Sequence, residues 1–173
     1  MRHLRSFARR RSAARRGFTL IEAALAMVII GIGVVALLEL MAAGTLSNSV
    51  GTELTTAASL ANNIHEISMV LPFNDPVNGA STSTKEAGGP TAYNDIWDMN
   101  GDTYSPPLDV TRHQITAFSN WGQKVTVQSV QPDTLTASRP NSVTLPTARV
   151  TCVITHNGKI VYTASWIVTA PNS

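Results

Sequence analysis

The chain has 173 residues, 43% of them hydrophobic and 14% charged, which suits one modest domain with attached segments. Its single cysteine, Cys152, excludes an intramolecular disulfide, so the domain must be stable through its core. Residues 1–17 hold seven of the 13 basic residues and no acid, whereas the remainder holds six basic residues against 11 acids. The overall basic character therefore does not indicate a nucleic-acid-binding domain.

Residues 1–17 are predicted to be a basic leader peptide, and residues 18–46 a transmembrane helix. The apolar run is longer than the ~20 residues that a membrane-spanning helix needs. It is interrupted mainly by three polar residues, Thr19, Glu22 and Glu39. Glu22 calls for an explanation, because an ionisable side chain at membrane depth is costly and usually functional.

The helix is predicted to continue through residues 47–71 as an amphipathic segment. No proline occurs before Pro72, and apolar or small residues recur every three or four positions. The predicted stripe consists of Val50, Leu54, Ala57, Ala58, Ala61, Ile64, Ile67, Val70 and Leu71. One helix of about 50 residues, ~75 Å long, follows from this pattern, and we expect a sheet to cover its second half.

Residues 72–112 are predicted to be a variable loop, because Gly, Pro, Asn, Asp, Ser and Thr dominate its composition. Within it, Asp98, Asn100 and Asp102 resemble the start of a calcium-binding loop. The pattern is incomplete, since Gly101 comes before the position that the loop glycine should occupy and no glutamate closes the loop. An Asx-rich turn is the favoured interpretation, with calcium as the alternative.

Residues 113–173 are predicted to form an antiparallel sheet. Two alternating runs flank Asn157-Gly158, the strongest short signal for a two-residue hairpin turn. That turn pairs Ile154 with Val161, Cys152 with Thr163, Val150 with Ser165, Val153 with Tyr162 and Arg149 with Trp166. The face favoured to cover the helix contains Val150, Cys152, Ile154, Val161 and Ile167. Cys152 is accordingly expected to be a buried small hydrophobe.

The junction "RRGFTLIE", residues 15–22, permits two ordinary interpretations. One is a twin-arginine export signal, and the other is a secretory signal peptide or plain membrane anchor. Both explain the arginines through the positive-inside rule. Neither explains Glu22, which weakens the apolar region of an export signal, and no clear A-x-A cleavage site follows.

The same junction resembles the prepilin processing motif of type IV pilins and type II secretion pseudopilins. The resemblance rests on the basic leader, Gly17 at its end, Phe18 as the new N-terminus, and Glu22 as the fifth residue of the mature chain. It covers residues 15 to about 46, and the rest agrees in architecture. A pilin-like α+β fold is implied, in which the second half of the long N-terminal helix packs on a small C-terminal antiparallel sheet.

The resemblance implies that a prepilin peptidase cleaves between Gly17 and Phe18 and methylates the new Phe18 amine. It also implies that Glu22 of one subunit pairs with the Phe18 amine of a neighbour, a pair that is strong only when desolvated and well placed. The alternative for Glu22 is a carboxylate that reaches the cytoplasmic interface beside Arg15 and Arg16.

The function expected from this resemblance is a structural, minor subunit of a type IV pilus or a type II secretion pseudopilus. The chain would be a single-pass protein of the bacterial inner membrane, with its C-terminal domain outside the cytoplasm, and would then enter the filament. Expected partners are the peptidase, other pilin or pseudopilin subunits, an inner-membrane assembly platform and membrane lipid, but no nucleic acid. Residues 29–44 resemble minor pilins of the PilV or GspI kind, and the missing disulfide argues the same way.

Two alternatives stay open. One is a DNA-uptake pilin, which the acidic balance of the mature chain disfavours, and the other is an exported binding domain held by an uncleaved anchor. An enzyme is not expected, because the four histidines are scattered and no nucleophile, phosphate-binding or paired-carboxylate motif is recognisable. No cofactor is expected apart from the calcium alternative in the loop.

Overall fold

The computed structural model describes residues 17–77, 79, 85–141 and 145–171. Except for Gly17, the predicted leader lies outside the described residues. The chain divides into two compact units, residues 1–47 and 48–173, and each is considered by itself.

A single helix, α1 (Leu20–Val70), spans 51 residues and begins in the first unit and ends in the second. It confirms the predicted continuous helix of about 50 residues. The helix ends just before Pro72, because a proline disfavours helical backbone in the residue that precedes it.

The first unit has no buried residue among those described. Its large apolar side chains are open to solvent, with Phe18 82% exposed and Ile32 67% exposed. This part of α1 is long and apolar enough to cross a membrane, and none of its most apolar stretch is buried. Contiguous apolar surface of this extent marks contact with lipid or with another protein.

The second unit contains an antiparallel sheet, as predicted. Its strands are β1 (Thr103–Tyr104), β2 (Trp121–Gln131), β3 (Thr134–Ser138), β4 (Thr147–His156) and β5 (Lys159–Thr169). The strand order is β1-β2-β4-β5, and β3 pairs with β2. Three short 3₁₀ helices accompany them, at Pro90–Ala92, Ile96–Met99 and Thr116–Phe118.

The core of the second unit joins α1 to one face of the sheet. Buried helix residues are Ala57, Leu60, Ala61, Ile64 and Ile67, and buried sheet residues include Val125, Val127, Val150, Cys152 and Ile154. The middle of the predicted stripe is therefore confirmed. The prediction is wrong for Val50, Leu54 and Val70, which are exposed, whereas Leu71 packs against the core. The buried Leu60 was not part of the predicted stripe.

Part of the predicted loop belongs to this core. Ile96, Trp97, Met99 and Leu108 are buried, and the Trp97 indole N–H donates to the carbonyl of Phe73 at 2.7 Å. These apolar residues are irregularly spaced among turn-forming residues, so no periodicity announces them. The segment therefore covers the core as well as linking α1 to the sheet.

Gln123, on β2, connects the helix, the loop and the sheet. Its side-chain oxygen accepts from the backbone N–H of Leu108 at 2.6 Å. Its amide group donates to the carbonyls of Leu60, at 2.8 Å, and Leu108, at 3.2 Å. A fully buried amide is stable only when its hydrogen bonds are satisfied in this way.

A second polar link joins α1 to the β4–β5 hairpin. His156 Nδ1 lies 2.6 Å from Glu53 Oε1, and the His156 ring stacks on Trp121 with centroids 4.2 Å apart. Both side chains of the pair are partly exposed, so the link orients the hairpin more than it adds stability.

The predicted hairpin register is correct next to the turn and wrong beyond it. His156 pairs with Lys159 and Thr155 with Ile160, but a β-bulge then shifts the register by one residue. The pairs become Ile154–Tyr162, Val153–Thr163, Cys152–Ala164, Val150–Trp166 and Arg149–Ile167. A one-residue shift moves each β5 side chain to the other face.

The shift changes which β5 side chains pack against the core. Tyr162, Ala164, Trp166 and Val168 pack against it, as does Val161 at the bulge. The predicted face is thus correct for Val150, Cys152, Ile154 and Val161. It is wrong for Ile167, which pairs with Arg149 on the opposite face.

Cys152 is a free and completely buried thiol, as predicted. Burial raises its pKa to about 12. The neutral thiol therefore acts as a small apolar side chain in the sheet.

Candidate assembly and processing site

The N-terminus of α1 is fixed by a reciprocal hydrogen-bonded cap. Both the backbone N–H and the hydroxyl of Thr19 donate to Glu22 Oε2 at 2.9 Å. In return, the backbone N–H of Glu22 donates to Thr19 Oγ1 at 3.3 Å. This capping box satisfies backbone donors that a helix start otherwise leaves without partners.

The cap uses one oxygen of the Glu22 carboxylate. Within the described part of the chain, Oε1 accepts no hydrogen bond, and the whole side chain is exposed. The carboxyl group therefore lies on an apolar helix and has one oxygen available to an external donor. In a low-dielectric environment, an isolated carboxylate of this kind is expensive.

Gly17 and Phe18 precede the helix as non-helical backbone. Open space surrounds the position that a Gly17 Cβ would occupy, and the Phe18 side chain is exposed. The bond between them thus lies two residues outside α1, where no helical hydrogen bonds have to break before another protein can hold the backbone. Phe18 and Glu22 are four residues apart at the same end of α1.

A family model described as the prokaryotic N-terminal methylation motif matches residues 12–38. This range includes the Gly17–Phe18 bond, the Thr19–Glu22 cap and α1 as far as residue 38. The chain carries the signature of type IV pilins and pseudopilins. Searches of curated proteins and of solved structures found no match.

The signature agrees with the architecture of one long N-terminal helix packing on a C-terminal antiparallel sheet. Together with the apolar helix, it indicates a membrane-anchored exported subunit of pilin or pseudopilin type. The motif implies processing by prepilin peptidase and assembly with other pilins. It is a structural motif and not an enzymatic one.

Thr19 is the site residue that sequence reasoning did not single out. Its signal was present, because Thr-x-x-Glu before an apolar run is the sequence form of a capping box. The cap gives Glu22 a local role that the resemblance alone did not include. It also means that replacing Glu22 by alanine removes a cap as well as a charge.

The three calcium candidates make separate protein contacts. Asp98 Oδ2 accepts from the backbone N–H groups of Asn94 and Asp95, and Asn100 Oδ1 accepts from the Val127 N–H at 2.9 Å. Asp98 also closes a capping box with Asp95 at the 3₁₀ helix Ile96–Met99. Asp95 and Asp98 form an Asx-type cap of the kind that the favoured interpretation expects, while the calcium alternative stays a prediction.

Asp102, the third candidate, is the centre of a hydrogen-bonded cluster. The Lys85 ammonium pairs with Oδ1, while Tyr93 and Tyr104 donate their hydroxyls to Oδ2. Burial and the neighbouring Asp102 raise the pKa of both tyrosines, so both remain neutral donors. Across the described ranges, no group of three or more His, Cys, Asp or Glu side chains is arranged to hold a metal ion.

Proposed function

We propose that this chain is a minor structural subunit of a type IV pilus or a type II secretion pseudopilus. The observation that carries the proposal is the methylation motif over residues 12–38. The motif continues into a helix whose most apolar stretch is not buried by any described part of the chain. A helix of this kind can be held first by lipid and then by the helices of neighbouring subunits.

Processing is the first step of the proposed function. Prepilin peptidase would hydrolyse the bond between Gly17 and Phe18 and methylate the new amine of Phe18. The exposed, non-helical backbone at this bond supports that role. The seven arginines of the leader would hold the bond at the cytoplasmic side of the inner membrane and leave the second unit outside.

Assembly is the second step, and Glu22 is proposed to determine which neighbouring subunit is accepted. Cleavage creates a positive amine at Phe18 in an apolar setting, and Glu22 of a neighbouring subunit would supply the opposite charge. Because one carboxylate oxygen is free while the other caps the helix, the pair can form without disrupting α1. Leaving either charge unpaired would be costly, so the pair would favour one axial register between subunits.

The apolar surface of the first unit would supply most of the assembly energy. Completely burying one exposed leucine or isoleucine is worth about 1.5–3 kcal/mol relative to water. Transfer from lipid gains much less, since lipid tails are already apolar. The charge pair would therefore control which neighbour is accepted, while close helix packing holds the filament.

A minor role is supported by the single cysteine, which leaves the second unit without the disulfide that is common in major pilins. The partners proposed on this basis are the peptidase, other pilin or pseudopilin subunits and an inner-membrane assembly platform.

The test separates the charge of Glu22 from its cap. Glu22→Gln keeps the side-chain length and a capping acceptor but removes the charge, whereas Thr19→Ala removes both hydrogen bonds of the Thr19 hydroxyl and keeps the charge. Each variant is expressed in the native host, and both cleaved protein and protein in sheared surface filaments are quantified. We expect E22Q to lose filament incorporation at least tenfold while T19A retains most of it.

Glu39→Gln is the matched control, because Glu39 is another exposed glutamate on the same helix. It should incorporate like the unmodified chain. An anchored binding domain that does not assemble predicts that E22Q and E39Q behave alike. Equal incorporation of these two variants would therefore reject the assembly proposal.

A further inference from the structure

The outer edge of β2 in the sheet of the second unit is closed by the chain itself. β1 pairs with β2 at Gln123 and Lys124, and β3 pairs with it at Val130 and Gln131. Between these two pairings, residues of the flanking segments hydrogen-bond to the β2 backbone: Asn100, Gly101, Asp102, Arg139 and Asn141. The backbone donors and acceptors on this side of the sheet are therefore occupied, and no further strand can pair there.

The outer edge of β5, at the other side of the sheet, is open. β5 is the last strand in the order, and among the described residues only β4 hydrogen-bonds to its backbone. Its sequence, KIVYTASWIVT, contains no proline and no acid, and its one charge is Lys159 at the first position. Proteins usually protect a long edge strand with charges, proline or a covering segment. This chain protects one edge of its sheet and leaves the other available.

The hydrophobic layer between α1 and the sheet is also open beside β5. The core-facing residues of β4 are completely buried, whereas those of β5 are only half-buried: Tyr162, Ala164, Trp166 and Val168. A groove of about 260 Å³ lies here between α1 and β5, and its walls include Ala58, Ala61, His65, Ala164 and Trp166. This β5 groove is smaller than the roughly 300–1,000 Å³ of small-molecule sites, so it suits a single side chain of a partner.

The aromatic wall of the β5 groove is held in place by the protein. The Trp166 indole N–H donates to Ser68 Oγ at 2.8 Å, and the His65 ring meets the Trp166 ring edge-to-face with centroids 5.0 Å apart. The space between helix and strand exists because Ala58 and Ala164 have small side chains. A fixed aromatic wall beside small residues is a preorganised pocket for an apolar anchor.

We propose that the outer edge of β5 binds an extended segment of another pilin-type subunit, which adds a further strand to the sheet and places an apolar side chain in the β5 groove. Only extended backbone satisfies the alternating N–H and C=O groups of a free edge. In this mode of recognition the main-chain hydrogen bonds give affinity and the pocket for alternate side chains gives specificity. The inference rests on the proposed assembly function, from which it takes the class of the partner.

A second copy of this chain is not the proposed occupant. Because its β2 edge is closed, two copies could join their sheets only through β5. Every described strand pair of this sheet is antiparallel, and antiparallel pairing of two β5 strands about a two-fold axis makes the two α1 helices run in opposite directions. Subunits that enter one membrane by their N-terminal helices share one direction, so the partner is a different subunit.

The test is photo-cross-linking in the native host, with p-benzoylphenylalanine in place of Thr163 or of Thr126. Both residues are exposed on the same face of the sheet, but Thr163 lies on β5 and Thr126 lies two strands further in. Sheared filaments are irradiated, and cross-linked peptides are identified by mass spectrometry. We expect position 163 to cross-link to an extended segment of another subunit that carries the methylation motif, and position 126 to give no such product.

A matched pair of lysine variants tests the β5 groove. Ala58→Lys fills the groove with a long charged side chain, whereas Ser59→Lys adds the same side chain at the adjacent, exposed position outside the groove. We expect A58K to reduce the cross-link from position 163 by about tenfold, because the anchor loses its pocket, and S59K to leave it unchanged. The comparison of positions 163 and 126 needs neither variant, so it stays decisive if A58K folds poorly.

Three results would overturn the proposal. The first is the absence of a cross-link from position 163 in chains recovered from filaments, and the second is an equal cross-link from position 126, which would mean docking on the sheet face. The third is a cross-link from position 163 to a second copy of this chain. Absence of the unmodified chain from filaments would reject the assembly function as well, whereas its presence without the cross-link rejects the β5 inference alone.

Discussion

The two units differ in the exposure of their apolar side chains, although the same helix contributes to both. Along residues 18–46 the large aliphatic side chains are exposed, whereas between Ala57 and Ile67 the helix buries a stripe in the core. Both stretches favour helix and both are apolar. They differ in whether the chain itself supplies a surface to pack against.

This difference shows how one helix can serve two environments. The second half is stable because β2, β4 and the segment 96–108 cover it within the same chain. The first half needs lipid or neighbouring subunits, and the match to the methylation motif lies on this half alone. We therefore propose that assembly depends on the first half of α1, whereas the second half belongs to the folded core.

The largest expected contrast comes from one substitution made in each unit. Ile64→Ala removes a side chain that is 0% exposed in the core, and Ile32→Ala removes one that is 67% exposed. We expect I64A to lower the free energy of unfolding by about 2–5 kcal/mol, because it leaves a cavity. I32A should change it by less than ~0.5 kcal/mol, as is usual for exposed positions.

The measurement is urea unfolding of the full chain in detergent, followed by tryptophan fluorescence. All three tryptophans, Trp97, Trp121 and Trp166, lie in the second unit, so the signal reports on that unit. Similar losses in I64A and I32A would contradict the division of roles along α1.

Gln123→Met tests the polar connection inside the packed unit. Methionine keeps the approximate volume but leaves the buried N–H of Leu108 without its acceptor and removes one donor each from the carbonyls of Leu60 and Leu108. We expect a loss of about 1–3 kcal/mol in the same unfolding assay. Gln128→Met, at a half-buried position of the same strand, should cost less than ~0.5 kcal/mol. Equal effects would mean that the Gln123 hydrogen bonds add nothing.

The pH dependence of Cys152 gives a smaller effect. Burial raises its pKa from 9.0 to about 12, so in this range the unfolded chain loses the thiol proton first. The contribution to stability is therefore complete below pH 9 and is lost as the pH rises toward 12. Between pH 8 and pH 10 the free energy of unfolding should fall by about 1 kcal/mol more in the unmodified chain than in Cys152→Ala. Parallel pH profiles for the two chains would show that the thiol is not buried.

The sequence predicts the parts of this molecule that depend on local or periodic signals. The helix follows from an apolar run and a stripe without proline, and the hairpin turn follows from Asn157-Gly158. The bulge beyond Thr155 has no comparable signal, because both faces of β5 are partly apolar and either register buries something. Which residues of β5 pack on α1 therefore emerges only in three dimensions.

The candidate site was also predictable only where a local sequence signal exists. Gly17, Phe18 and Glu22 stand out from the motif, and Thr19 would have stood out from the capping pattern. By contrast, no sequence pattern brings Lys85, Tyr93 and Tyr104 to Asp102, because contacts across an irregular segment depend on how it packs.

The most direct measurement is the intact mass and N-terminal residue of the protein from its native membranes. We expect a chain that lacks residues 1–17 and begins with N-methylated Phe18. A chain that begins beyond about residue 42 would indicate ordinary signal-peptide cleavage. That result, or retention of residues 1–17 in a host with active prepilin peptidase, would contradict the assignment to the pilin pathway.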